Sequence, residues 1–308
     1  MNKINMILKM NFQRFKRDKS NYFLLFIMIP LTVIFSVYFS TKINFKDTVA
    51  VIGVDKEAVS SMVNLDEVNL EEIDTEPKES EIMMGKYAGI ISMQDGEYKY
   101  TSYNSEDVLS EDEDEKGSLE SILGLIFFFI FIQSMQNTKF YMQDRASGNL
   151  KRIFASGVKN YQYMLSQILF NIIVLTIPLY VFIEIACLIF SVDISVGFVG
   201  VFGLVLVLSI LSTAIAFLIA KIIDDEDSAI MTGNVLMIAS TLLSGAFGNL
   251  KPSGLLRIIS DILPQKIFLN LISAVESGVG SIINNVIILS VIIFVIVIFL
   301  CRRKPLPN

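Results

Sequence analysis

Apolar residues in this chain fall into long blocks, not into the short alternating runs of a soluble core. Six blocks approach or exceed the roughly 20 mainly apolar residues that a helix needs to cross a bilayer. They are Tyr22–Ser40, Leu119–Thr138, Tyr163–Phe190, Phe198–Ala220, Ala229–Phe247 and Ile282–Cys301. Lipid offers no partner to backbone N–H and C=O groups, so each block is predicted to be a helix. The expected fold class is an α-helical polytopic membrane protein with six transmembrane helices. A cleaved signal peptide is the competing reading of the first block. Its 19 apolar-rich residues exceed a usual signal core and no small-x-small site follows, so a retained anchor is expected.

Between the first two blocks the pattern changes. Thr48–Val54, Tyr87–Met93 and Tyr98–Tyr103 read as strands, and Glu57–Leu65 and Glu79–Lys86 as short helices. Residues 42–118 are therefore expected to form a small extracytoplasmic α/β domain. That segment holds 7 basic and 20 acidic residues, a net −13, which leaves +7 for the rest of a chain of net charge −6. Glu111–Glu115 is continuous and lacks the turn glycine of a calcium loop, so a solvated acidic linker is expected there.

Composition agrees with a membrane protein: 53% of the 308 residues are hydrophobic and 18% charged, against about 25% charged in soluble domains. Charge placement adds orientation. Lysines and arginines cluster before the first block, between the second and third, and after the last. Six crossings put all three clusters on one side, which is then cytoplasmic. The expected organisation is a cytoplasmic amphipathic helix over 1–20, transmembrane helix 1 over 21–41, the outer domain over 42–118, helices 2–6 over 119–301 and a cytoplasmic tail over 302–308. Ile4, Leu8, Phe12 and Phe15 recur at helical spacing, so the first helix is expected to lay an apolar face in the bilayer surface. The loop 139–160 carries Leu150, Ile153 and Phe154 as an apolar patch flanked by Lys151 and Arg152, bounded by Gly148 and Gly157. Such a patch suits docking on another protein, and an ordinary basic inner loop is an equal reading of the same residues. An outer segment, 248–280, mixes apolar residues with Arg257, Asp261, Pro252 and Pro264. It is expected to form short helices in the outer leaflet, not a further crossing.

The residue types exclude several chemistries. With no histidine there is no histidine base and no Ser-His-Asp triad. Cys187 and Cys301 are predicted near opposite membrane faces, too far apart for a disulfide. No phosphate-binding loop occurs; Gly85-Lys86 is the nearest fragment, with Ser80 and Tyr87 at mismatched positions. Any ATP-driven work therefore needs ATP and Mg held by a partner, and no cofactor is expected in this chain. Glu184 is the one acidic residue well inside an apolar block, which makes it a candidate for the transport path.

Asp144-Arg145-Ala-Ser-Gly148, followed by Ser156, resembles the loop after helix two in permeases of the ABC-2 type family. The family pattern runs acidic-basic-x-x-Gly-Thr-x-x-x-Leu-x-x-[Ser/Thr]-Pro, from which Asn149, Ile153 and Gly157 depart. Leu243-Ser244-Gly245-Ala246-Phe247 resembles a second family feature at the outer end of helix five, preceded here by the acidic run Asp224–Asp227. The resemblance implies the membrane subunit of a bacterial ABC exporter. It implies an ABC ATP-binding subunit as partner, a second permease chain in a homo- or heterodimer, and no enzymatic activity in this chain. The loop residues Asp144, Arg145, Gly148, Leu150, Lys151, Arg152, Ile153 and Phe154 would couple to the ATPase, and Ser244 and Gly245 would border the path or an interface. The bilayer is the remaining partner, the bacterial plasma membrane the expected location, and no nucleic acid is expected. Two other classes compete: a receptor or scaffold sensing ligands through the acidic outer domain, and an ion-driven transporter. The second usually has internal repeats, and none is evident.

Overall fold

The computed structural model describes residues 3–17, 19–42, 47–52, 68–73, 77, 87, 89–94, 97–102, 119–190, 196–245, 255–277 and 282–302. Helix α1 (Lys3–Arg17) is followed by α2 (Lys19–Phe23), a π-helical turn over Leu24–Met28 and α3 (Ile29–Lys42). After the sheet come α4 (Leu119–Asn137), α5 (Lys139–Ala146), α6 (Asn149–Ala155), α7 (Asn160–Phe190), α8 (Gly197–Ile222) and α9 (Glu226–Ser244). The last helices are α10 (Leu255–Ile262), α11 (Pro264–Ser277) and α12 (Ile282–Arg302).

Four helical segments are long and apolar enough to cross a membrane: Leu119–Ala146, Asn160–Phe190, Gly197–Ile222 and Ile282–Cys301. A bent pair, Leu256–Ile262 with Pro264–Glu276, makes a fifth if taken as one span. The chain is thus a polytopic membrane protein. Helix α9 has the length but is more polar, and the first block presents an apolar helix, Leu25–Phe39, that runs through the π turn. The 72° bend between α10 and α11 falls at Leu263-Pro264. Proline lacks the N–H that would continue α10, disfavours helical backbone in the residue before it, and suits the first position of a new helix.

Helix α4 is the hub. Ile122, Leu123, Ile126, Phe127, Ile130 and Phe131 are all buried, and the helix packs on α3, α8, α9 and α11. Gly233 lets α9 approach α4 closely: a Cβ there would lie 2.9 Å from the Met135 methyl. Small residues at such contacts matter because lipid is as apolar as a leucine side chain, so close packing drives association. Helix α12 is peripheral, and its C-terminal carbonyls are tied back. Lys221 of α8 donates to the carbonyls of Phe299 and Leu300, and Asn160 to that of Cys301. These bonds satisfy acceptors that a helix end leaves unpaired.

The strands are β1 (Asp47–Ile52), β2 (Val68–Glu72), β3 (Gly89–Gln94) and β4 (Glu97–Ser102), in the order β2-β1-β3-β4. β1 pairs parallel with β2 and β3, while β3 and β4 are antiparallel with Gln94 opposite Glu97. The three expected strands correspond to β1, β3 and β4, and β2 is additional. Val49, Ala50 and Val51 of central β1 are fully buried. The expected helices Glu57–Leu65 and Glu79–Lys86 and the acidic run Glu111–Glu115 lie outside the described residues.

Candidate functional site

The segment after α4 folds into two short helices with a glycine at each break. Gly148, at φ 71°, joins α5 to α6, and Gly157, at φ 81°, follows α6. Both values lie in the left-handed region that a Cβ disfavours. The helix ends close on themselves through Ser147 N–H to Gln143 O and Gly157 N–H to Phe154 O.

The expected apolar patch divides. Leu150 is 3% exposed and packs with Tyr141, Met142, Val158, Tyr163 and Met164. Ile153 and Phe154 are half-buried, and the Phe154 ring lies edge-on to Tyr163 at 6.1 Å. Lys151 and Arg152 are exposed. A groove bounded by Met6, Ile7, Lys9, Met10 and Gln13 of α1 and by Ile153 and Ser156 runs beside α6.

Asp144 and Arg145 turn inward. Asp144 is 2% exposed; its Oδ2 accepts from Arg14 Nη1 at 2.8 Å and from the Tyr163 hydroxyl at 2.7 Å. Hydrogen bonding to Asp144 raises the Arg14 pKa above its ordinary value, against an opposing effect of burial. The network continues from Gln167 Nε2 to the Tyr163 hydroxyl and from Asn11 Nδ2 to Gln167 Oε1. One turn further along α7, Asn171 accepts from Asn137 and donates to Ser134. Tyr163, Gln167 and Asn171 thus form a polar stripe of period four, the spacing of one helix face. Arg145 Nη1 donates to the Ala220 carbonyl at 3.3 Å, and its other terminal nitrogen pairs with Asp224.

Helix α1 rests on α7. Ile7, Asn11 and Phe15 are buried, and Phe12 and Phe15 meet Phe170 edge-on. Of the apolar face expected to lie in lipid, Phe15 is buried and Ile4, Leu8 and Phe12 are partly covered. Asn11, Gln167 and Asn171 were not singled out from the sequence, although polar residues four apart in an apolar block were a usable signal.

The remaining expected site residues do not join this cluster. Glu184, on α7 and 40 residues beyond Asp144 in the chain, has a buried Oε1 with no hydrogen-bond partner among the described residues. Ser244 donates to the Thr241 carbonyl, and Gly245, at φ 80°, ends α9. The described residues hold no group of three or more His, Cys, Asp or Glu able to bind a metal.

Long apolar helices define a polytopic membrane protein, with a buried polar stripe and a short-helix segment at one end. Residues 75–302 match the family described as ABC-2 family transporter protein, and the chain belongs to that family. This bears out the resemblance carried by the loop and helix-five motifs, and makes the chain a membrane permease. No curated protein matches the chain.

Proposed function

We propose that this chain is the permease subunit of an ATP-driven exporter, working as a dimer with a separate ATP-binding subunit that holds ATP and Mg. In this reading six helices cross the bacterial plasma membrane: the Lys19–Lys42 run, α4, α7, α8, α9 and α12. The sheet is extracytoplasmic, α10 and α11 re-enter from the outer side, and both termini are cytoplasmic. Glu184, Ser244 and Gly245 border the path.

One observation carries the coupling role: the surface of α6 beside the α1 groove. There Lys151 and Arg152 are exposed and Ile153 half-exposed, next to Met6 and Met10. An apolar seat with a basic rim suits an acidic partner surface that presents an apolar knob. Segment α5–α6 joins α4 to α7, so a tilt of an attached ATPase acts on two spans together.

Completing the burial of Ile153 contributes less than the roughly 1.5–3 kcal/mol of a fully exposed side chain, since half is already covered. Ile153→Asp is expected to weaken co-purification of the ATP-binding subunit and to lower transport. Phe154→Asp also disturbs the packing on Tyr163, so Ile153 is the cleaner probe. Lys151→Ala is expected to act mainly on association rate and salt dependence. Full ATPase binding and full transport by Ile153→Asp would sink the docking reading.

A further inference from the structure

Asp144 and Arg145 are consecutive on α5, so their side chains leave the helix about 100° apart. Each meets a different part of the chain. Asp144 takes Arg14 of α1 and Tyr163 of α7, while Arg145 takes the last turn of α8 and Asp224. We infer that this acidic-basic dipeptide is an internal clasp: it positions docking helix α6 against the bundle and does not itself touch the ATPase. What the clasp positions rests on the docking reading above, but the clasp is a property of this chain alone.

Burial makes the assignment. The Asp144 side chain is 3% exposed and that of Arg145 14% exposed, whereas Arg14 keeps 31%. A carboxylate so enclosed is tolerated only when paired and hydrogen-bonded, and Arg14 and the Tyr163 hydroxyl supply that pairing here. Arg145 spreads its planar fork over a carbonyl and a carboxylate, a use to which guanidinium is suited and ammonium is not. Both contacts lie just before Gly148, so α6 extends from a base fixed on two sides. The acidic run Asp224–Asp227 adjoins the clasp at its surface. Asp224 pairs with Arg145, and Asp225 accepts from the Ser228 amide at the start of α9. Both side chains stay exposed, Asp224 at 73%, so the run remains accessible beside this contact.

The test uses the full chain in proteoliposomes without ATPase, with Cys187 and Cys301 changed to Ala. Single cysteines replace Leu8 on α1, Ile223 beside the α8–α9 turn, or Ile126 inside α4 as a control, and maleimide labelling rates are compared. Asp144→Asn is expected to speed labelling at position 8 about tenfold or more, leaving position 223 within about twofold. Arg145→Gln is expected to do the reverse, and Asp144→Glu to restore slow labelling in part. Arg14→Gln, which leaves Tyr163 on Asp144, repeats the test should Asp144→Asn fail to fold. Faster labelling at both reporters or at the control, or at neither, overturns the clasp. Ile153→Asp that leaves both ATPase binding and these rates unchanged would defeat the docking reading alone.

Discussion

Leu150→Ala separates two roles for the α5–α6 segment. If Leu150 belonged to a docking surface, its loss would weaken ATPase binding and leave the isolated chain intact. The structure buries it among Tyr141, Met142, Val158 and Tyr163, so the damage is expected inside the chain. Removing three buried carbons forfeits about 0.8 kcal/mol each in transfer energy, and the cavity brings the usual total to about 2–5 kcal/mol. The lower figure corresponds to a roughly 30-fold rise in local opening, limited by the opening free energy of α6 itself. Hydrogen exchange of the peptide spanning 149–155, in the full chain without ATPase, reads this directly. Exchange at the wild-type rate together with lost ATPase affinity would refute the packing argument and return Leu150 to the surface.

Three further changes test other contacts. Gly233→Ala is expected to cost little in thermal stability, because the atoms nearest its Cβ belong to the Met135 side chain, whose sulfur and methyl can shift; Gly233→Phe is expected to force α9 off α4 and lower the melting temperature in detergent by several degrees. Glu276 accepts the backbone N–H groups of Leu119 at 2.7 Å and Glu120 at 3.2 Å, closing the start of α4. Glu276→Ala should cost about 1 kcal/mol, as loss of a helix cap does, and raise exchange in the first turn of α4. Asp225 is held below the usual carboxyl value by its hydrogen bond from Ser228. Its contribution to α9 is therefore present above the unfolded value of about 3.9 and lost as pH falls through the folded one. Protection of the first turn of α9, relative to the intrinsic exchange rate at each pH, should fall on acidification in the parent and stay flatter in Asp225→Asn.

Helix boundaries were legible where lipid imposes them. Five blocks recur within about three residues as α4, α7, α8, α9 and α12, since a span needs a long apolar run and little else. Strands β1, β3 and β4 were legible from their β-branched and aromatic residues. Strand β2 was not: Val68-Asn-Leu-Glu-Glu72 is short and acidic, and of the side chains described there Leu70 is buried while Glu72 is exposed. The π turn over Leu24–Met28 left no sequence signal, because a shift in backbone register depends on neighbouring packing. In the candidate site, Gly148 and Gly157 were correctly read as breaks, while the fate of the patch was not foreseen. Periodicity shows that Leu150, Ile153 and Phe154 share a face, but not whether the chain's own Tyr163 already covers it. The buried amide of Asn11 was equally hidden, since its partner Gln167 lies 156 residues away.

The polar stripe bears on how far motion at α6 travels. Helix α7 has 31 residues, so at about 1.5 Å per residue it runs about 46 Å, well beyond a hydrocarbon core of roughly 30 Å. Its first three turns carry Tyr163, Gln167 and Asn171, bonded to α5, α1 and α4. Such bonds hold their geometry in a low-dielectric interior, where leaving one unmade is costly. Beyond them stands Pro178, which removes the bond to the Val174 carbonyl and makes that turn the easiest place for the helix to bend. Past Pro178 the buried contacts of α7 are Leu179, Ile183, Ala186 and Cys187, which slide more readily than hydrogen bonds break. A tilt applied at α6 is therefore carried by α1, α4, α5 and the start of α7 as one body. Its relief falls near Pro178, below the half of α7 that holds Glu184.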